Sequence, residues 1–249
     1  MNAKVIAVWG ANGSGKTTTA VNLAFSLSQR NFTVGLISSN IYYGEMQMLC
    51  GCNVPDDRGI YHALMGGETK NIYDEIRGLL VQAGKTSVFV LSVPDKFDAM
   101  QLTTVSAKSV KDMLDDANMR FDYLVIDGNT DLNNPISSIG MTEADKLLVV
   151  HRPSVKDCLW HDSMRNVFDL LNLSYKTAHI LNAHDKSCDL SAYKSSIGLT
   201  FDFELGYVEN ANIYANTGQA IVFHDLKQER EYISGMKALT SSVILGGGQ

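Results

Sequence analysis

Long apolar runs, paired cysteines and an excess of basic charge are all missing from this 249-residue chain. No apolar run approaches the roughly 20 residues that span a bilayer, so direct membrane insertion is not expected. Cys50, Cys52, Cys158 and Cys188 show no C-x-x-C spacing, and Cys50-x-Cys52 is too close for a usual zinc pair. Reduced structural thiols are the expectation. The formal net charge is −6, and residues 184–249 hold five Lys and Arg against eight Asp and Glu. A surface that tracks nucleic-acid phosphates clusters basic residues instead, so this balance disfavours DNA. Met1–Lys4 leads straight into an apolar run, and neither a signal peptide nor a Pro-rich linker is evident. A cytoplasmic protein with a single domain over residues 1–249 fits these absences.

What is present is an alternation of short apolar runs with longer amphipathic stretches, the pattern of βαβ units and a parallel sheet. The runs Val5–Trp9, Thr33–Ser38, Ser87–Ser92, Tyr123–Asp127, Lys146–Val150, Thr177–Asn182 and Phe203–Val208 read as strands. Helices are expected over Lys16–Gln29, Ile72–Val81, Ser106–Ala117, Val155–Leu171 and Glu229–Val243. In the first of these, Ala20, Leu23, Ala24 and Leu27 recur at helical spacing and supply a face to pack on a sheet. The expected fold is α/β: a single domain with a mostly parallel, twisted sheet of seven to eight strands flanked by helices. Arg58–Ala83 and Asp95–Thr104 read as irregular, with a turn at Gly66-Gly67.

The most informative segment is Gly10–Thr18, a complete G-x-x-x-x-G-K-[ST] loop between an apolar strand and a helix that opens at Lys16. That context is what the chemistry requires. Gly10, Gly13 and Gly15 let the backbone come close to a polyphosphate, and Ala11, Asn12 and Ser14 complete the loop of N–H groups around it. The helix start adds its positive dipole end. Lys16 is expected on the β- and γ-phosphates, Thr17 on Mg²⁺, and Thr18 near the α-phosphate. Phe121–Asp127 is an apolar strand ending in one carboxylate, so Asp127 is the second candidate for Mg²⁺, with Lys16 and Asp127 the catalytic pair. Gly128-Asn129-Thr130, next in sequence, reads either as a switch segment sensing the γ-phosphate or as a simple turn.

The order of these elements resembles the MinD/ParA group of deviant phosphate-loop ATPases. Thr18 matches the family's GKTT, Phe121–Asp127 its FDYVIID, and Ala144–Val150 its AD-x-hhhV strand. Ile180-Leu-Asn182 is similar to the strand whose Asn recognises adenine, and Leu205–Glu209 to the turn near the base. The resemblance implies ATP or ADP with Mg²⁺, an ATP-dependent homodimer, and Asn182 as a cofactor contact. Two departures stand out. The family's loop carries a first Lys that reaches the partner's nucleotide, and here that position is Ala11. Its second strand ends D-x-D, and here the pair is Ser38 and Asn40. An amide orients water but is no carboxylate base. Losing such groups typically costs on the order of 10²–10³ in rate each, so tight binding and slow turnover are expected.

These departures point to the atypical TadZ/CpaE-like branch, whose members position or recruit pilus and secretion assemblies. The implied function is an ATP-dependent dimeric switch of that kind, placed at a pole or at a membrane periphery only through partners. The alternative is a plasmid or chromosome partition ATPase that binds DNA. A cluster-bearing reductase needs cysteines that neither Asp95–Leu102 nor Gly128–Asn134 contains. Ser241–Gln249 has no Lys or Arg, against a basic membrane-anchoring helix. Arg152 reads as a solvated charge at a strand end, with a phosphate or partner contact as its other reading. His161 and His184 lack metal-ligand spacing and read as structural or surface residues.

Overall fold

The computed structural model describes residues 2–65, 76, 78–101, 105–184, 188–224 and 227–246. Their strands are β1 (Lys4–Gly10), β2 (Val34–Ser38), β3 (Val81–Gln82), β4 (Val88–Leu91), β5 (Tyr123–Asp127), β6 (Lys146–His151), β7 (Thr177–His184) and β8 (Phe203–Gly206). They form one sheet in the order β3-β4-β2-β5-β1-β6-β7-β8. Every pairing is parallel except β3 with β4, which is antiparallel. The helices are α1 (Lys16–Ser28), α2 (Glu45–Leu49), α3 (Ile60–Met65), α4 (Ala107–Asn118), α5 (Pro135–Glu143), α6 (Val155–Leu170), α7 (Leu190–Ile197), α8 (Ala211–Asn216) and α9 (Arg230–Leu245).

The continuous apolar runs follow from helices on both faces, because a parallel strand covered on each side has no wet face to alternate with. In β1 the pleat sends Ile6 and Val8 into a core with Leu23 and Leu27 of α1 and Met236 and Leu239 of α9. Ala7 and Trp9 go to the opposite core, with Met113 of α4, Ile136 of α5 and Trp160 of α6. Trp9 meets Trp160 edge to face at 4.9 Å. Each fully buried Leu or Ile here contributes roughly 1.5–3 kcal/mol relative to exposure.

All seven expected strands form, with ends shifted by a residue or two. The eighth, β3, occupies Val81–Gln82, where the expected helix over Ile72–Val81 was to end. Val81 pairs with Val90 and Gln82 with Phe89, and this tertiary partnership sets their conformation. Of that expected helix, 72–75 and 77 lie outside the described residues, while Ile76, Gly78 and Leu79 are helical. The expected turn at Gly66-Gly67 also lies outside them. Arg58–Ala83 is less irregular than its composition suggested, since it contains α3.

The chain enters at β1, builds β2 to β5 on one side, and then places β6 to β8 on the other. Loops at the carboxyl ends of β1, β5 and β6 therefore diverge, leaving a crevice at the switch point of the sheet.

Candidate functional site

The crevice is organised by the loop between β1 and α1. Gly10 has φ +153 and Gly15 φ +95, values that L side chains rarely adopt. A Cβ at Gly10 would lie 2.3 Å from the Val150 carbonyl oxygen, and one at Gly15 would lie 2.1 Å from Asn182 Nδ2. At Gly10 glycine is therefore required by space as well as by torsion, and at Gly15 by torsion. The same Gly15 leaves α1 with no side-chain cap and no acidic residue in its first turn. Ser106, Asn134, Ser154 and Asp189, by contrast, each cap the helix that follows them. The N–H groups and positive dipole end of α1 are left for an external anion.

Lys16 is buried, and its Nζ donates to the Ala11 carbonyl at 2.9 Å and to Thr130 Oγ1 at 3.1 Å. Burial lowers its pKa, opposed first by the nearby Asp127 charge and then by Glu45. Thr17 Oγ1 donates to Asp127 Oδ2 at 2.8 Å, while the buried Asp127 Oδ1 and Ser14 Oγ have no hydrogen-bond partner. Burial pushes the Asp127 carboxyl up to about 7, against the hydrogen bond from Thr17 and the charge of Lys16. An uncapped helix start, a buried ammonium and an orphaned carboxylate oxygen beside a hydroxyl form the donor set that a phosphate chain and a hard divalent cation require. The residues fit a nucleotide with Mg²⁺.

Thr130, singled out in the segment after β5, does touch the loop. Its hydroxyl lies 2.9 Å from the Gly10 carbonyl and 2.8 Å from Asn12 Oδ1, and it accepts the bond from Lys16. Trp9 Nε1 donates to the Asn129 carbonyl at 2.9 Å, and the Asn129 amide donates to Ser137 Oγ at 2.6 Å. The segment is thus pinned from β1, α1 and α5. Ala11 and Asn12 form the tip of the loop, Ala11 buried and Asn12 exposed.

A cavity of about 300 Å³ continues from the loop toward β7 and β8, lined in part by Gly13, Thr18, Asn182, Tyr207 and Arg152. Asn182 Nδ2 donates to the Ser14 carbonyl at 2.8 Å, so this side chain braces the loop as well as facing the cavity. Next to it Ala183 takes φ +51, a left-handed conformation where β7 and β8 pair irregularly. Arg152 is exposed, as expected of a strand-end charge, and it stands on the cavity rim.

At the end of β2, Ser38 pairs with Asp127, and the Ser39 amide donates to the Asp127 carbonyl at 3.0 Å. Ser38 and Asn40 thus flank the crevice where the sequence placed them. Glu45 on α2 accepts from Asn40 Nδ2 at 3.2 Å, and sequence reading missed it. Its only signal was a carboxylate seven residues after a strand that ends without one.

A second buried polar cluster lies between β6, β7, α6 and α7. His151 Nδ1 and Asp157 Oδ2 are 2.8 Å apart, His151 Nε2 and His179 Nδ1 3.0 Å apart, and the Tyr193 hydroxyl donates to Asp157 Oδ2 at 2.6 Å. Burial, then the neighbouring His151 and His161, push His179 down to about 4. His161 is buried beside it, consistent with a structural role. Among the described residues no group of His, Cys, Asp and Glu is arranged to hold a metal, and no helix is long and apolar enough to cross a membrane.

Comparison with known proteins agrees with this geometry. A family model described as "AAA domain" matches residues 3–158. The septum site-determining protein MinD of Neisseria meningitidis serogroup B (strain MC58) is 25% identical over 175 residues, 70% of this chain. The match spans 62% of that relative's own length. Among solved structures, MinD from Pyrococcus horikoshii OT3, complexed with Mg-ADP, superposes with a TM-score of 0.78 at 16% identity, covering 100% of this chain and 98% of its own. A ParA family ATPase from Chlorobium tepidum TLS gives 0.78 at 15% identity over 96% and 98%. At such identity the structural likeness speaks for the fold.

Proposed function

Given that this chain belongs to the AAA-domain family and within it to the MinD/ParA group of P-loop ATPases, we propose that it is an ATP-binding switch whose dimerisation depends on the γ-phosphate. The observation that supports this best is the convergence of Lys16, the Thr17–Asp127 pair and the uncapped start of α1 on one loop. The backbone from Gly10 to Gly15 wraps the phosphates, Lys16 balances their charge, and Thr18 lies where the cavity begins. Thr17 and Asp127 hold Mg²⁺, which supplies further charge neutralisation at the phosphates. The base occupies the 300 Å³ cavity, where Asn182 Oδ1 accepts from an adenine amino group.

Turnover is slow on this reading. Ala11 brings no cation to a partner's nucleotide, and Asn40 brings no carboxylate to water. A switch that holds ATP longer than it cleaves it suits the positioning or recruitment of a larger assembly, of the pilus or secretion type served by TadZ-like proteins. Its localisation is then cytoplasmic, with a pole or membrane reached through that assembly. The test is sedimentation of the wild type and Lys16→Ala with ADP, ATP and a non-hydrolysable analogue, each with Mg²⁺. The wild type is expected to shift to a dimer with ATP or the analogue alone, and the variant to stay monomeric. A wild type that stays monomeric throughout overturns the proposal, and ATP-dependent retention of DNA at low salt would favour a partition role instead.

A further inference from the structure

Asn40 stands where related ATPases carry a carboxylate, and its side chain is already committed. Its Oδ1 accepts from the Tyr42 and Tyr43 amides at 3.1 and 3.4 Å, closing a turn after β2. Its Nδ2 donates to Glu45 Oε1 at 3.2 Å. The Ser38 hydroxyl accepts from the Asn40 amide at 3.2 Å, which ties the turn to the strand residue paired with Asp127. Glu45 opens α2, is half-buried, and follows Gly44, which gives the helix no side-chain cap. After burial and their local partners, Glu45 is the next charge that both Lys16 and Asp127 feel. A carboxylate thus stands five residues after position 40, tied by Asn40 and Ser38 to the strand end that pairs with Asp127.

We infer that Glu45 is the group that orients the attacking water, with Asn40 as its positioning residue. This rests on the proposed ATP-binding function and deepens it. In the step, the water oxygen bonds to the γ-phosphorus and the bond from that phosphorus to the β–γ bridging oxygen breaks. The electron pair leaves on the diphosphate, and the water proton passes to the Glu45 carboxylate. A carboxylate carried on a half-exposed turn of α2 is held less rigidly than one fixed at a strand end, which accounts for a slow clock rather than a dead one.

The experiment compares wild type, Glu45→Gln and Asn40→Ala, all confirmed as folded by circular dichroism. Single-turnover phosphate release from Mg-ATP is expected to slow about 100-fold in Glu45→Gln and about tenfold in Asn40→Ala. ATP and ADP affinities by calorimetry are expected to stay within about threefold, and the ATP-held dimer to persist longer in sedimentation. In the nucleotide-free protein, the Asn40 side-chain amide resonances are expected to shift in Glu45→Gln, which reads the bond without any turnover. Phosphate release at the wild-type rate in Glu45→Gln overturns this inference alone. Amide resonances unmoved by that substitution overturn the positioning role. A wild type that binds no ATP overturns both this inference and the function it rests on.

Discussion

Asp127 and Asp157 are both buried carboxylates close to the carboxyl ends of neighbouring parts of one sheet, with 4% and 2% of their surface exposed. Their surroundings differ. Asp127 accepts one hydrogen bond, from Thr17, and its nearest cation is a buried lysine that the loop carbonyl of Ala11 holds in place. Asp157 Oδ2 gathers the Tyr193 hydroxyl and the His151 ring, and Ser154 caps its helix from below. One carboxylate is under-provided and opens on a crevice. The other has two partners from its own chain on Oδ2 and, like Asp127, an Oδ1 without one, but it is closed in between two helices. A buried polar group that opens on a crevice is a place for a ligand, whereas one closed in and bonded from two other elements serves the fold.

That contrast can be broken by substitution. The largest effect is expected from Asp157→Ala, which strands His151 and Tyr193 in the interior and should cost about 3–5 kcal/mol in urea unfolding. Nucleotide affinity should change little. Lys16→Ala should do the reverse: ATP affinity by calorimetry falls at least about 100-fold, near 3 kcal/mol, while the urea midpoint scarcely moves. Should Lys16→Ala unfold the protein and Asp157→Ala abolish binding, the two regions have been assigned the wrong roles. Tyr193→Phe removes a single hydroxyl from the satisfied cluster, and a loss of about 1–2 kcal/mol is expected.

The smallest effect is on pH dependence, because the two regions oppose each other. Folded Asp127 keeps its proton up to about 7, whereas unfolded it ionises near 3.8. Its contribution is therefore favourable at low pH and declines as pH rises from about 4 to 7. His179 protonates near 6.5 unfolded but only near 4 in the fold, so its contribution is intact above 6.5 and is lost as pH falls toward 4. Stability of the nucleotide-free wild type should vary weakly across this window. In Asp127→Asn only the histidine slope remains, and unfolding midpoints should climb steadily from pH 4 to 6.5. A flat profile in that variant would show that His179 titrates alike in both states.

Much of the crevice was legible beforehand because it is built from consecutive residues. Gly10 to Thr18 must be adjacent in sequence to wrap one anion, and Asp127 announces itself by ending an apolar run. The capped helix α5 also had its signal, Asn134 followed by Pro135, though no helix was assigned there. The histidine cluster had none. His151, Asp157, His179 and Tyr193 come from four elements, and each reads singly as an ordinary residue. Glu45 was hidden for a related reason: only the turn closed by Asn40 brings it back toward the end of β2. β3 escaped because two residues have no periodicity, and its partner strand decides its conformation.

The chain by itself determined the phosphate-binding loop, the covered parallel sheet and an uncharged residue at position 11, since each depends on local spacing and residue type. Only the tertiary structure decided which buried carboxylate opens on the crevice, that Asn40 holds Glu45 near the end of β2, and that Asn182, expected as an adenine contact, also braces the phosphate loop. Those properties depend on distances between residues remote in sequence, and such distances arise only when the sheet closes its cores on both sides.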